Sequence, residues 1–251
     1  ASTLVDLDKA KVDEQQALNC RVTAEMTEFI RDIEPKGVTV SVGGEIGEIG
    51  RGNVTVEDLR AFMDGYRHSL SSGVKEISKI SVQTGTTHGG VVLPDGSIAE
   101  VELDFKTLGE LSRVAREEYG MGGAVQHGAS TLPDESFDIF PRVGTLEVHL
   151  ATAFQNLIYD SPYFPGELLN KIDRHLLRKY GAQERGGETE EQFLYKTRKR
   201  AFGDFKKEMW NLPKENLDGI KGELESGFSL LFQKLNVVNT ADLVGRFVVE
   251  T

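Results

Sequence analysis

Ile80-Ser-Val-Gln-Thr-Gly-Thr-Thr-His88-Gly-Gly90 and Gly123-Ala-Val-Gln-His127-Gly-Ala-Ser-Thr131 share one grammar. In each, a short apolar run leads to a histidine, and glycine follows the histidine at once. Apolar runs of this length bounded by turn residues read as buried strands. Glycine after the histidine lets a ligand approach the backbone closely. Two imidazoles are thereby placed at the carboxyl ends of strands, where barrels of parallel strands do their chemistry. Imidazole is the commonest metal ligand and the usual acid–base group near neutral pH. A lone histidine after a strand is more often a hydrogen-bonded structural residue, but the repeated glycine flank favours a functional pair.

Working outward, strands alternate with helices. Residues 7–34 read as a helix, with Leu18, Val22, Met26, Phe29 and Ile30 at helical spacing as its apolar face. Residues 38–42 alternate as a strand that runs into the glycine-rich segment holding Glu45. Thr55 is a good N-cap for a second helix that carries Leu59, Phe62, Met63 and Tyr66 on one side. Residues 77–83 form the next strand, and 91–101 read as a loop with a turn at Pro94-Asp-Gly96. Thr107-Leu-Gly-Glu110 reads as a capping box opening a helix that ends near Tyr119. Residues 123–126 and 146–150 are the last strands, and this alternation calls for parallel βαβ units. From Ala151 on, helices are expected over 164–180, 190–210 (opened by Thr189-Glu-Glu-Gln192) and 217–235, with a polar loop at 181–188. Four strands are half of what a closed barrel of this type needs.

The chain has 251 residues, with 39% apolar and 27% charged residues, which suits a soluble globular protein. A net charge of −11 argues against nucleic acid and anionic membrane surfaces as partners. No apolar run reaches the length of a membrane span, and the start of the sequence carries no signal-peptide pattern. The single Cys20 cannot form an internal disulfide, so a reducing cytoplasm is the expected compartment. The basic clusters at 174–179 and 196–200 read as solvated helix faces. His68 reads as a surface residue and His175 as a structural one. Arg198 and Arg200 are candidates for a phosphate across a subunit boundary, because arginine suits bidentate phosphate contacts.

A catalytic zinc usually takes three protein ligands and leaves one position open. His88 and His127 supply two, and Glu45, which follows its own strand, is the best third candidate. The successive spacings of 43 residues (Glu45 to His88) and 39 residues (His88 to His127) suit ligands on successive βα units and not a finger-type site. Val40-Ser-Val-Gly-Gly-Glu45-Ile-Gly47, Gly85-Thr-Thr-His88-Gly-Gly90, Val125-Gln-His127-Gly-Ala-Ser130-Thr131 and, more weakly, Val143-Gly-Thr-Leu-Glu-Val-His149 carry a family likeness. Together, and in this order over residues 1–155, they resemble the class II, metal-dependent fructose-bisphosphate aldolases. The resemblance implies a (β/α)8 barrel and reversible cleavage of a ketose bisphosphate to dihydroxyacetone phosphate and an aldehyde. It implies a divalent metal, zinc first, held by His88, His127 and Glu45, with a monovalent cation as an optional second ion. Gly89, Gly128, Ser130 and Thr152 would then bind the substrate phosphate, the glycines through backbone N–H groups. The metal would supply Lewis-acid stabilisation of the enediolate.

The chain also departs from the family pattern. The family's last strand reads Asn-x-Asp-Thr, and here the aligned stretch is His149-Leu-Ala151-Thr152. His149 therefore takes the asparagine's place as the candidate catalytic residue, and Ala151 replaces a carboxylate. The family's fourth-strand histidine and the aspartate before it have no match. The chain is thus expected to supply the last four βα units of the barrel over 1–155 and a C-terminal helical extension over 156–251. The expected partners are a sugar phosphate, an N-terminal barrel half from the same gene product or a separate chain, and further copies in a homo-oligomer. Two other readings stand beside this one. One is a non-catalytic aldolase-like subunit or sugar-phosphate-binding module, and the other is an open α/β phosphate-binding protein without a metal.

Overall fold

The fold is that of a computed structural model, which describes residues 4–47, 52–85, 93–94, 99 and 103–248. Gly43–Glu45 (β1), Lys79–Val82 (β2), Ala124–Gln126 (β3) and Glu147–Val148 (β4) form one parallel sheet in chain order. Val12–Ile33 (α1) precedes β1, Val56–Ser69 (α2) joins β1 to β2, and Phe105–Glu117 (α3) joins β2 to β3. Two 3-10 turns and Ile139–Arg142 (α4) lead to β4. Parallel neighbours need such crossovers, because no tight turn can bring the chain back to the same end of the sheet.

Strand residues alternate between two faces. Ile80, Val82 and Ala124 join Leu59, Phe62 and Met63 of α2 and Leu108, Leu111 and Val114 of α3 in one buried cluster. Burying each large side chain of that cluster contributes on the order of 2 kcal/mol. Gly44 lies on the same face, where a Cβ would stand 2.9 Å from Phe62 Cζ and from Ile80 Cδ1. The opposite face carries Glu45, Lys79, Ser81 and Glu147, all partly exposed, around a buried Val125.

Helix α2 begins where expected: Thr55 and Asp58 cap it reciprocally, and Leu59, Phe62, Met63 and Tyr66 are its buried side. Three expectations are corrected nearby. Residues 38–42 are not a strand. Arg31 donates to the Val40 carbonyl and the Glu34 carboxylate accepts the Val40 N–H, so the ladder starts only at Gly43. Helix α3 is capped by Asp104, which accepts the Thr107 N–H, so Thr107 lies inside the helix and does not open it.

The largest correction concerns α1. Its expected core residues Leu18, Met26 and Phe29 are 44–54% exposed, and only Ile30 packs against the cluster, with Val22 partly buried. The helix buries Gln16, Asn19, Cys20, Thr23, Ala24 and Thr27 instead. Hydrogen bonds select that side: Asn19 Nδ2 donates to the Glu45 carbonyl at 2.8 Å and Tyr66 donates to Thr27 Oγ1 at 3.4 Å. Small residues also permit close approach, for a Cβ on Gly65 would stand 2.8 Å from Cys20 Sγ.

Past the sheet, Thr152–Tyr159 (α5) is a helix outside the expected set. Gly166–Leu176 (α6) continues through a π-turn at Leu177–Gly181 into Ala182–Glu184 (α7), so the expected loop at 181–188 is helical over its first half. The single helix expected over 190–210 is broken into Glu190–Thr197 (α8), a 3-10 turn, Ala201–Asp204 (α9) and Lys206–Trp210 (α10). Lys214–Lys234 (α11) matches its expectation closely, and Ala241–Phe247 (α12) follows. A second cluster, around Tyr159, Ile172, Leu176 and Phe193, holds this part together. Among the described residues no helix is long and apolar enough to cross a membrane.

Candidate functional site

The sheet's polar face ends in a row of side chains set by strand register. Glu45 closes β1, Ser81 stands opposite it on β2, and Val125 stands opposite Ser81 on β3. His127 lies two residues beyond Val125, on the same face. His149 leaves β4 in the same way, its N–H bonded to the Gln126 carbonyl at 2.9 Å.

These side chains touch in sequence. Glu45 Oε1 lies 3.0 Å from His127 Nδ1, and His127 Nε2 lies 2.8 Å from His149 Nδ1. His149 Nε2 lies 3.0 Å from Glu147 Oε2. The two imidazole ring planes are 27° apart, with centroids at 4.7 Å. Ser81 Oγ sits 3.4 Å from His127 Nε2. Lys79 reaches across β3 and donates to both oxygens of Glu147 at 2.7 and 2.9 Å. With both carboxylates ionised, His127 donates from Nδ1 to Glu45 and His149 donates from Nε2 to Glu147. The near nitrogens, Nε2 of His127 and Nδ1 of His149, are then the two that face each other, and a hydrogen between them is one more than two neutral imidazoles carry. Burial pushes the Glu147 carboxyl up, but the hydrogen bonds and charges of Lys79 and His149 outweigh it and hold it below its usual range.

The loop after His127 turns on Gly128, whose φ of +73° favours glycine and starts the 3-10 turn Ala129–Thr131. Ser130 Oγ accepts the Ala151 N–H at 3.1 Å, which ties this loop to the start of α5. Thr152 is the first residue of α5, so Gly128, Ser130 and Thr152 are drawn to one corner. Beside them, Thr131 Oγ1 is buried with no hydrogen-bond partner among the described residues.

Of the residues chosen from sequence, Glu45, His127 and His149 come together. His88, Gly89 and most of the 91–101 loop lie outside the described residues. Among the described residues, no three His, Cys, Asp or Glu side chains converge on one point that could hold a metal. The donor types nevertheless suit one, since imidazole nitrogens backed by carboxylates are the common zinc environment. Arg198 is committed elsewhere: it pairs with Asp160 at 2.7 Å and lies over the Tyr195 ring. His175 pairs with Asp204, and His68 is exposed. Sequence reasoning missed Lys79, Ser81 and Glu147. The alternation of Lys79 and Ser81 with buried Ile80 and Val82 was the available signal.

Residues 1–215 match the family fructose-bisphosphate aldolase class-II, and the chain belongs to that family, whose members are generally dependent on a divalent metal. No curated protein matches the chain. Among solved structures it is similar to a protein assigned as a tagatose 6-phosphate kinase from Sinorhizobium meliloti 1021, with a TM-score of 0.53 and 15% identity over 94% of this chain and 59% of that one. It is also similar to a fructuronate-tagaturonate epimerase from Cohnella laeviribosi, with a TM-score of 0.55 and 11% identity over 85% of this chain and 49% of that one. A protein assigned as a fructose-1,6-biphosphate aldolase from Coccidioides immitis aligns with a TM-score of 0.49 and 16% identity over 90% of this chain and 60% of that one. The chain thus spans about half to three fifths of the length of these structures.

Proposed function

We propose that this chain is the carboxyl-terminal half of a metal-dependent aldolase barrel that cleaves a ketose bisphosphate, of the fructose 1,6-bisphosphate kind, to dihydroxyacetone phosphate and an aldehyde. The carrying observation is the Glu45–His127–His149–Glu147 row at the carboxyl ends of three parallel strands, in a chain of the class II aldolase family. His127 and Glu45, with His88, would hold the divalent ion, zinc first, which supplies Lewis-acid polarisation of the ketose carbonyl. Gly128, Ser130 and Thr152, with Gly89, would receive a substrate phosphate. The turn at Gly128 and the first turn of α5 offer backbone N–H groups to an anion. His149, where the family carries asparagine, would face the reacting end of the substrate.

The remaining half of the barrel would cover what this half leaves open. Each outer strand pairs on one side only among the described residues, and one sheet face is polar. Exposed strand edges are normally paired or covered. The apolar stripe of Leu18, Met26, Phe29 and Ile33 on α1 is exposed and would pack on the neighbouring unit. The test is cleavage of fructose 1,6-bisphosphate by the complete barrel with zinc present. His127→Ala should lower turnover on the order of a thousandfold. Wild-type turnover in that variant, or in chelator-treated enzyme, overturns the proposal.

A second reading has an observation of its own. Both nitrogens of His149 are already engaged, and Ala151 offers a methyl group where the family has a carboxylate. A non-catalytic relative that binds sugar phosphate would look the same. Calorimetric binding of fructose 1,6-bisphosphate with no cleavage by the complete, zinc-loaded barrel would select that reading.

A further inference from the structure

We infer that His149 is itself a metal ligand, so that the ion sits between His127 Nε2 and His149 Nδ1, with Glu45 and Glu147 behind the two rings. The inference rests on the metal-dependent reading above and changes the roles of His149 and Glu45 within it. A histidine that ligates a metal almost always gives its other ring N–H to a carboxylate, which fixes the ring and raises its basicity. Both rings have that arrangement: His127 is backed by Glu45 at 3.0 Å and His149 by Glu147 at 3.0 Å. Their remaining nitrogens point at each other across 2.8 Å.

The spacing is close to that of a shared ion. Zinc bonds imidazole nitrogen at about 2.0–2.1 Å, which at a tetrahedral angle puts two such nitrogens about 3.3 Å apart. A small opening of the pair is enough, and the His149 side chain is 51% exposed. Glu147 is not free to follow. Lys79 holds both of its oxygens, so the backing of His149 is fixed across β3. On binding, the N···N contact would be exchanged for two metal–nitrogen bonds, and any proton held between the two nitrogens would leave to water. Ser81 Oγ, 3.4 Å from His127 Nε2, is a further oxygen beside the pair. Glu45 then acts by orienting His127 and need not touch the ion. Asparagine cannot offer an imidazole nitrogen, so this ligand belongs to the chain's departure from the family pattern.

The experiment is Co2+ binding to the full chain, followed by visible d–d absorption and by competition with a chelator. His149→Asn should raise the Kd for Co2+ at least tenfold and change the band intensity. Glu147→Leu should raise it by about tenfold through loss of the backing carboxylate. If His149→Asn binds Co2+ with the wild-type Kd and spectrum while His127→Asn does not bind, the inference is overturned and the aldolase reading survives. If His127→Asn also binds as wild type, both fail. The unmutated, 15N-labelled chain gives an answer that needs no variant to fold. Adding Zn2+ should move the His149 Nδ1 resonance together with that of His127, and an unmoved His149 Nδ1 overturns the inference.

Discussion

The two faces of the four-stranded sheet are made by alternate residues of the same short strands, yet they do different work. On one face Ile80, Val82 and Ala124 disappear under α2 and α3. On the other, Glu45, Lys79, Ser81 and Glu147 stay partly exposed and lead to the two imidazoles. The covered face holds the fold by apolar burial, which tolerates few polar atoms. The other face collects polar groups that satisfy one another through hydrogen bonds and an ion pair. The apolar core and the polar row are therefore separated by one residue of register, and a slip of one position would exchange them.

Two substitutions should separate the faces most strongly. On the aldolase proposal, His127→Ala should remove about three orders of magnitude of cleavage by the complete barrel while shifting the urea midpoint little, because its ring lies on the open face. Phe62→Ala should do the reverse: about 3–5 kcal/mol of stability lost by denaturant titration, since the ring is fully buried between α2 and Gly44. If His127→Ala unfolds as readily as Phe62→Ala, the division of labour between the faces is wrong. A smaller effect is expected within the polar face. Lys79→Met strands the Glu147 carboxylate, but that side chain is 36% exposed and water screens the loss. The expected cost is on the order of 1 kcal/mol, fading in high salt.

Much of this was legible in the sequence because the relevant signals are local. Thr55 and the Leu59–Tyr66 face place α2 correctly. The strands at Lys79–Val82 and Ala124–Gln126 lie within the runs read for them, and the glycine flank marked His127. What stayed hidden depends on partners distant in sequence. The periodicity of α1 showed an apolar stripe but not which side meets the sheet. Asn19 bonding Glu45 and Cys20 fitting against Gly65 decided that, and neither leaves a mark in the pattern. Nothing in the local pattern marks Glu147. Only the parallel register across β3 brings it to Lys79 and thence to His149. The start of β1 was misread because the side chains of Arg31 and Glu34 occupy the Val40 peptide groups that a strand would use.

An effect of similar size, but opposite in its cause, is expected at the N-terminus of α3, on the covered side. Asp104 accepts from the Thr107 N–H at 2.9 Å and from its hydroxyl at 2.6 Å. Those bonds favour the ionised carboxylate and hold Asp104 below its ordinary range, with Asn53 adding a further contact. A group lowered on folding stabilises the native state above its unfolded pKa, and that contribution is lost as the pH falls through the lowered folded value. Asp104→Ala should therefore cost about 1 kcal/mol near neutral pH, as loss of an N-cap does. The difference from wild type should shrink in acid, once Asp104 is protonated in both states. Asp104→Asn, which keeps an accepting oxygen, should recover most of the loss at neutral pH. Chemical denaturation at neutral and acidic pH checks this: an unchanged gap between wild type and Asp104→Ala would mean that the helix start is held by the packing of Leu108 and Leu111 and not by its cap.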